Sequence, residues 1–278
     1  MKKISRRSFM AAAAVSVAAL ALTACGGSAS SAASSVASSA ASSEAASSAA
    51  AAELTTVEAG KLTMATNAAF PPYEMTTDAG EFEGIDVDTA KAIAEKLGLE
   101  LQIDDMDFDA ALLSVQQGKA DIVMAGVTVT DERKAVMDFS DSYATGIQSI
   151  IVPEGSDIAS VDDLAGKKIG TQRGTTGYIY CSDDFGDENV VAYDDGLTAV
   201  QALNNGQVDA VVIDNAPAQE FVAANPGLKV LDTSYAEEDY AIGMAKGSAL
   251  EDAVNKALEE LKADGTLQAI VDKYINAN

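Results

Sequence analysis

The sequence contains no histidine and has few basic residues of any kind. Histidine is the commonest general base, the commonest metal ligand and the usual partner of a nucleophilic serine, so its absence argues against most hydrolases and metal enzymes. Lysine and arginine together number 18 against 43 aspartates and glutamates, a formal net charge of −25. A surface this acidic repels nucleic acid and anionic lipid. We therefore expect no nucleic-acid partner, no metal, no cofactor and no enzymatic activity.

Residues 1–24 are predicted to be a signal peptide. A basic segment at 2–7 precedes an apolar stretch at 11–22, which is shorter than the roughly 20 residues that a membrane-spanning helix needs. The sequence Leu22-Thr-Ala-Cys25 resembles the lipobox of bacterial lipoproteins, which implies acylation of Cys25 and cleavage before it. The segment 5–10, SRRSFM, resembles a twin-arginine export signal, so the general and the twin-arginine export routes both stay open.

Cysteine is nearly absent, and the two cysteines have different predicted roles. The stretch 26–52 is almost wholly Ser and Ala and cannot bury a core, so we assign residues 25–58 to the lipidated Cys25 and a tether. Such a tether holds the next domain about 30 Å from the lipid. Acylation of Cys25 leaves Cys181 without a partner, so we expect no disulfide and a small buried thiol at Cys181 rather than a reactive one.

From Lys61 onward, short apolar runs alternate with segments of helical period, which favours βαβ units and largely parallel sheets. The predicted strands are 61–66, 122–125, 147–152, 168–171, 190–193, 210–213, 228–231 and 240–245. The predicted helices are 86–97, 112–117, 199–204, 217–224, 250–263 and 267–275.

The chain partly repeats itself, because LSVQQGKADIVMA at 113–125 aligns with QALNNGQVDAVVI at 201–213. The repeat indicates two similar lobes, and the helices after residue 245 are expected to pack back on the first one. We therefore predict an α/β protein with two α/β lobes, two crossover strands and a central ligand cleft. Lobe 1 comprises 59–150 plus 241–278, lobe 2 comprises 151–240, and the connections fall near 148–153 and 239–243.

Polar or glycine-containing segments follow several predicted strands. They begin at Asn67, Gly126, Gln172 and Asp214. Ligands of parallel sheets bind beyond the carboxyl ends of the strands, and helix N-termini there favour an anion. A cleft lined by these segments suits a small zwitterion.

Seven motifs occur in an order that is specific to one family. They are NAAFPPYE (67–74), EGIDVD (83–88), MDF (106–108), AGVTVTDER (125–133), DFSDSY (138–143), DLAGK (163–167) and VIDNAP (212–217). Through them, residues 61–274 resemble family 3 of the extracellular solute-binding proteins, which are the polar amino acid-binding proteins of ABC importers. The resemblance implies a fold like that of periplasmic binding proteins.

The resemblance also implies roles for individual residues, and the chemistry of the side chains agrees. Arg133 matches the arginine that clamps the ligand α-carboxylate, a task for which a planar guanidinium is suited. Asp214 matches the aspartate that pairs with the α-ammonium group. The other implied contacts are the backbone N–H groups of Thr128 and Thr176 for the carboxylate, the carbonyl of Gly126 and hydroxyl of Thr128 for the ammonium, Phe70 and Phe108 as aromatic walls, and Asn67, Ala125 and Gln172 to complete the set.

The side chain of the ligand is left open. Many members of the family carry aspartate where this chain has Asn67, and an amide both donates and accepts hydrogen bonds. Glutamine, cystine, arginine, lysine and histidine are all compatible with it. Glu74 and Asp107 could restore a preference for basic ligands.

Each main residue also has a purely structural alternative. Arg133 could pair at the surface with Asp131 or Glu132, Asp214 could only cap the next helix, and the two phenylalanines could be ordinary core.

The expected function is capture of a free polar L-amino acid and its delivery to an ABC permease. We expect a monomer, anchored to the bilayer through Cys25 on the extracytoplasmic face of the cell membrane. Two alternatives are a bi-lobed sensor that acts with a membrane receptor and, less favoured, a dehydratase of small carboxylates.

Overall fold

The computed structural model describes residues 54–275. The predicted signal peptide, Cys25 and nearly all of the tether lie outside the described residues. Cys181 is buried, as the sequence predicted. No helix within residues 54–275 is long and apolar enough to cross a membrane.

The described chain alternates strands and helices. The strands are β1 (Lys61–Thr66), β2 (Ala69–Phe70), β3 (Glu74–Thr76), β4 (Phe82–Glu83), β5 (Glu100–Asp105), β6 (Ile122–Val123), β7 (Met137–Phe139), β8 (Ala144–Pro153), β9 (Ile169–Gln172), β10 (Val190–Tyr193), β11 (Ala210–Asp214), β12 (Leu228–Val230), β13 (Ala236–Tyr240) and β14 (Gly243–Ala245). The helices are α1 (Ile85–Leu97), α2 (Phe108–Gln116), α3 (Asp131–Val136), α4 (Thr176–Phe185), α5 (Gly196–Asn204), α6 (Asn215–Ala224), α7 (Glu251–Ala263) and α8 (Thr266–Ile275).

The first sheet has the strand order β5-β1-β6-β14-β7 and forms the centre of one lobe. Strands β5, β1 and β6 run parallel, whereas β14 is antiparallel to both β6 and β7. Successive side chains of a strand point to opposite faces. Leu62 and Met64 therefore pack with α1, α7 and α8 on one face, while Ala65 packs with α2 on the other. The C-terminal helices thus return to the first lobe, as their lack of a strand partner predicted.

The second sheet has the order β10-β9-β11-β8-β12, with β13 also paired to β8. Strands β10, β9 and β11 are parallel, and β8 is antiparallel to β11, β12 and β13. Val211 and Ile213 pack against α5 and α6, whereas Ala210 and Val212 face the side that holds Cys181 of α4. The prediction of two α/β lobes is confirmed.

The two connections between the lobes are the segments 140–143 and 241–242. The sequence placed the first connection near 148–153, but β8 already belongs to the second sheet from Ala144. The first three residues of β8, Ala144, Thr145 and Gly146, form no apolar run, so the hydrophobic pattern marked this strand only from Ile147 onward. The single strand predicted at 240–245 was also wrong, because β13 and β14 belong to different sheets. Ala241 and Ile242 between them are fully buried, so apolarity did not reveal the break.

Candidate ligand-binding site

The polar segments that follow the strands meet at a cavity between the two lobes. Sixteen of the described residues line it: Asn67, Phe70, Glu74, Phe108, Ala125, Gly126, Thr128, Arg133, Gln148, Gln172, Thr175, Thr176, Val212, Ile213, Asp214 and Tyr240. All ten residues that the sequence proposed for ligand binding are among them. Their ligand contacts stay predictions, but the structure brings these distant segments together.

The cavity is small, with a volume of about 30 Å³. One water molecule needs about 10–15 Å³ on this measure, so the space is enough for two or three waters. An amino acid does not fit into it unless the lobes separate or the lining side chains rearrange.

Arg133 lies in α3, whose N-cap is Thr130: the backbone N–H of Arg133 donates to the Thr130 hydroxyl over 3.2 Å. The guanidinium is turned inward, and the residue is only 9% exposed. It donates to the carbonyl of Thr128 (2.7 Å) and, across the cleft, to the carbonyl of Gly174 (3.2 Å). Its central carbon lies 5.3 Å from the ring centroid of Phe108. The structure therefore does not show the alternative, a surface ion pair.

The charge of Arg133 is not neutralised by a direct ion pair. Within residues 54–275, no carboxylate lies within 4.0 Å of its guanidinium nitrogens. Burial lowers the pKa of Arg133, and the charge of Glu238 opposes this. An arginine stays protonated at neutral pH even so. The buried cation is therefore suited to a ligand carboxylate.

Asp214 ends β11 and is only 2% exposed. One carboxylate oxygen accepts from the N–H of Ala216 and caps α6, while the other accepts from the N–H of Ile147 (2.8 Å) and the hydroxyl of Tyr240 (2.7 Å). Burial raises its pKa to about 6, and these three donors oppose the rise. Asp214 is thus both a helix cap and part of the cavity wall, so the two roles that the sequence left open coexist.

Hydroxyl, amide and carboxylate groups connect the lobes beside Arg133. The Thr128 hydroxyl lies 3.2 Å from Glu238 Oε2 and 3.4 Å from the Thr176 hydroxyl, and Gln148 Nε2 donates to the same Glu238 oxygen over 2.9 Å. A hydroxyl has a single proton, so when Thr128 donates to Glu238 it accepts from Thr176. Thr176 opens α4, where backbone N–H groups lack intrahelical acceptors.

Asn67 and Gln172 form a second bridge across the cleft. Gln172 Nε2 donates to Asn67 Oδ1 over 2.9 Å and to the carbonyl of Asp194 over 3.2 Å, while Asn67 Nδ2 donates to the carbonyl of Met106. When the lobes are close, Gln172 Nε2 and Asn67 Oδ1 are therefore hydrogen-bonded to each other.

Three aromatic residues, Phe70, Phe108 and Tyr240, line the cavity. The Phe70 ring is stacked on Tyr73 at 5.7 Å, and Tyr73 meets Tyr240 edge to face at 5.4 Å. Phe70 packs against apolar clusters of both lobes. Phe108 is buried among the side chains of α2 and also lines the cavity, so its role as core does not exclude a contact with ligand.

Sequence reasoning missed several lining residues. Gln148 and Tyr240 come from the strands that connect the lobes, and Glu238 stands directly behind Thr128. No local signal marks them, because they reach the cavity only through the pairing of β8 with β13. Glu74 lies in a recognised motif, but its place in the wall was not predicted. The described residues contain no group of three or more Cys, Asp and Glu side chains that could hold a metal ion.

Two lobes that enclose a cavity lined by a buried arginine, Arg133, and by the buried acidic residues Glu74 and Asp214 have the architecture of a solute-binding protein. The model of the bacterial extracellular solute-binding proteins, family 3, matches residues 62–277. The chain therefore belongs to this family, and the resemblance seen in the motifs is confirmed.

Individual relatives agree with this assignment. The chain is 34% identical over 226 residues to the L-cystine-binding protein TcyJ of Escherichia coli, an alignment that covers 80% of this chain and 85% of TcyJ. Among solved structures, it is similar to the arginine-, lysine-, histidine-binding protein ArtJ of Geobacillus stearothermophilus (TM-score 0.75, 35% identity, 78% of this chain and 96% of ArtJ). It is also similar to an ancestral arginine-binding protein bound to glutamine (TM-score 0.75, 43% identity, 78% and 98% covered).

Proposed function

We propose that this protein captures a free polar L-amino acid in the cleft and delivers it to the permease of an ABC importer. The observation that carries the proposal is that Arg133 and Asp214 line the same cavity. They come from different lobes, they are both buried, and their charges match the two charged ends shared by all free α-amino acids.

The α-carboxylate is placed at Arg133. The fork of the guanidinium can hold both carboxylate oxygens, and the N–H of Thr176 at the start of α4 adds a donor.

The α-ammonium group is placed at Asp214. Tyr240 and the N–H of Ile147 orient its carboxylate, and the hydroxyl of Thr128 and the carbonyl of Gly126 offer further acceptors. This part of the site is common to any α-amino acid, so it does not select a side chain.

The ligand side chain is placed between Phe70 and Phe108, with its end toward Asn67 and Gln172. Relatives named for cystine, histidine, arginine and glutamine occur at 34%, 34%, 33% and 34% identity, respectively. Amide groups at Asn67 and Gln172 suit each of these ligands because they donate as well as accept.

Binding is proposed to proceed by hinge closure. The contacts of Arg133 with Gly174, Asn67 with Gln172 and Thr128 with Thr176 exist only when the lobes are close. A ligand that touches both lobes stabilises this closed form in proportion to its extra affinity for it. The small cavity supports an opening step before entry.

The remaining assignments concern location. We propose that export by the general or the twin-arginine route is followed by cleavage before Cys25 and acylation of that residue. The monomeric protein then stands on the extracytoplasmic face of the membrane, joined to the two lobes by the 25–58 tether. The family's extracellular location supports this placement.

Calorimetry on the purified protein with the common amino acids and cystine tests the function. The protein is expected to bind at least one of them, and Arg133→Ala to lose about 2–5 kcal/mol of binding free energy because a carboxylate is left unpaired. Arg173→Ala is the matched control, since Arg173 is exposed and lies 3.8 Å from Asp194 at the surface. Unchanged affinity in Arg133→Ala rejects the site.

A further inference from the structure

Glu238 is a buried carboxylate that makes none of the proposed contacts with the ligand. It lies in β13, is 6% exposed and is not among the described residues that line the cavity. Its Oε2 accepts from the hydroxyl of Thr128 over 3.2 Å and from Nε2 of Gln148 over 2.9 Å. Within residues 54–275, its Oε1 has no hydrogen-bond partner. Burial of a carboxylate is unfavourable unless it is paired or hydrogen-bonded, so its position requires an explanation.

The backbone fixes Glu238 behind Thr128. The N–H of Val129 donates to the carbonyl of Asp239 over 3.0 Å, and Thr128 forms an antiparallel bridge with Tyr240. Residues two apart in a strand point to the same face, so Glu238 is the diagonal neighbour of Thr128, within reach of a long side chain. The contact between the two side chains is therefore set by the pairing of their backbones.

The same face of β13 carries a second buried polar contact. Tyr240, two residues after Glu238, donates its hydroxyl to Asp214 over 2.7 Å. Gly146 of β8 lies opposite Glu238 and leaves room for this contact, since a Cβ there would lie 2.5 Å from the Tyr240 ring and 2.6 Å from Asp214 Oδ2. Strand β13 thus places one polar side chain behind each of two proposed acceptors of the α-ammonium group: Tyr240 behind Asp214, and Glu238 behind Thr128.

Hydrogen-bond chemistry gives the contact between Thr128 and Glu238 a direction. An ionised carboxylate accepts hydrogen bonds and cannot donate, whereas a hydroxyl has one proton and two lone pairs. The contact therefore uses the single proton of Thr128. The Thr176 hydroxyl, at 3.4 Å, can donate to one lone pair, and the other stays available because Thr128 lines the cavity. Thr128 then accepts from a ligand and cannot donate to it.

We propose that Glu238 is a positioning residue: it holds the proton of the Thr128 hydroxyl and thereby turns a lone pair of that hydroxyl toward the α-ammonium group of the ligand. This inference rests on the proposed function and deepens it, because it explains how a group that can donate or accept is fixed as an acceptor. An ammonium group has three N–H donors, and Asp214, the carbonyl of Gly126 and Thr128 then provide one acceptor for each. No covalent bond changes and no proton is transferred.

Two other roles of Glu238 make different predictions. As a counter-charge it would support Arg133, whose pKa its charge raises against the effect of burial. As a structural partner it would only hold Gln148, which lines the cavity. The first role needs the charge and the second needs the contact with Gln148, whereas positioning needs an acceptor for Thr128.

Substitutions of Glu238 separate charge from acceptor. Calorimetry of the purified protein with L-glutamine, L-arginine, L-histidine and L-cystine first identifies a ligand. Glu238→Met and Glu238→Gln both remove the charge, but only Glu238→Gln keeps an oxygen, which is expected at the point where the two donors meet. Glu238→Met should weaken binding about five- to thirtyfold and Glu238→Gln by less than about threefold. Glu237→Met, at the exposed neighbouring position of β13, is the matched control and should keep the parent affinity.

Thr128→Val tests whether the effect passes through the hydroxyl. In this background, Glu238→Met is expected to change the affinity by less than about twofold, because the group that Glu238 positions is already absent. A loss as large as in the parent background would show that Glu238 acts through Gln148 or Arg133 instead.

The outcomes separate the two ideas. Absence of binding of all these amino acids, or binding that Arg133→Ala leaves unchanged, rejects the proposed function. If binding depends on Arg133, then equal losses in Glu238→Met and Glu238→Gln, parent-like affinity in Glu238→Met, or a loss that persists beside Thr128→Val overturns the positioning role alone.

A measurement on the parent protein keeps the test open if circular dichroism shows that Glu238→Met does not fold. Neutron diffraction from crystals exchanged into heavy water locates the deuteron of the Thr128 hydroxyl. It is expected between Thr128 Oγ1 and Glu238 Oε2, and a deuteron that points into the cavity overturns the positioning role.

Discussion

Gly174 lies where the two lobes touch, and its replacement by alanine tests the closure mechanism. The residue is in the loop between β9 and α4, with a φ of +73°, and its carbonyl accepts from Arg133. A Cβ at this position would lie 1.7 Å from Oδ1 and 2.6 Å from Cγ of Asp109, which belongs to α2 of the other lobe. Alanine therefore collides with the opposite lobe only when the cleft is closed.

The magnitude has two parts that can be measured separately. Left-handed backbone costs a residue with a Cβ about 1–2 kcal/mol, in the open and the closed form alike, so it lowers stability but not affinity. The collision acts on the closed form only. Asp109 is exposed and can rotate away at a cost of about 0.5–1.5 kcal/mol, so the ligand should bind about two- to tenfold more weakly.

The assay is calorimetry with an amino acid that the protein binds, together with thermal unfolding. In the double variant Gly174→Ala/Asp109→Ala, affinity should return to that of Asp109→Ala, while the melting temperature stays reduced. Gly206→Ala is the control for strain alone, because its φ is +67° and a Cβ there would meet nothing within 4 Å. Unchanged affinity in Gly174→Ala, or a loss that removal of Asp109 does not reverse, would refute the closure argument.

Three further predictions concern buried groups. Protonated Asp214 cannot pair with an ammonium group, and its pKa is raised to about 6, so affinity for a ligand with a neutral side chain should fall by up to tenfold per unit as the pH drops below about 6. Calorimetry from pH 4.5 to 7.5 should show this fall in the parent and none in Asp214→Asn; a flat parent profile contradicts it. Gly146→Ala should lower the free energy of unfolding by about 1–3 kcal/mol, since its Cβ would lie 2.5 Å from the Tyr240 ring and 2.6 Å from Asp214 Oδ2. Denaturant titration checks this, and parent-like stability together with parent-like affinity would count against it. Cys181 is 0% exposed, and burial raises the pKa of its thiol to about 12. Peptide mass spectrometry should therefore find this thiol alkylated at pH 8 only after the protein is unfolded. Equal labelling of native and unfolded protein would show that the thiol is accessible.

Local patterns in the sequence predicted much of the fold. The bounds of β1 and β10 agree with the prediction, and the repeat at 113–125 and 201–213 corresponds to α2-β6 and α5-β11 in the two lobes. The starts of helices were less well predicted, because α2 begins at Phe108 and not at residue 112. A helix start was placed around Thr130-Asp131, where α3 does begin, but α4 was missed as a helix, although it starts within a polar segment that was assigned to the site.

Antiparallel pairing was the main feature that the alternating pattern did not show. Strands β8, β13 and β14 each pair antiparallel with neighbours that are distant in the chain, and β8 with β13 carries the connection between lobes. Hydrophobic periodicity reports which face of a strand is buried, and it contains no information about which strand lies alongside. The wrong strand at 240–245 follows from the same limitation.

The sequence by itself determined the chemical types at the site and their position after strands, because strand ends, helix caps and side-chain chemistry are local properties. The polar segments that begin at Asn67, Gly126, Gln172 and Asp214 follow from these properties, whereas the family resemblance implied Arg133 and the full set of ten residues, all of which line one cavity. Only the tertiary structure decided that Tyr240 orients Asp214, that Gln172 reaches Asn67 across the cleft, and that Glu238 lies behind Thr128. Those relations depend on distances between segments far apart in the chain and on exclusion of water, and both arise only when the chain folds.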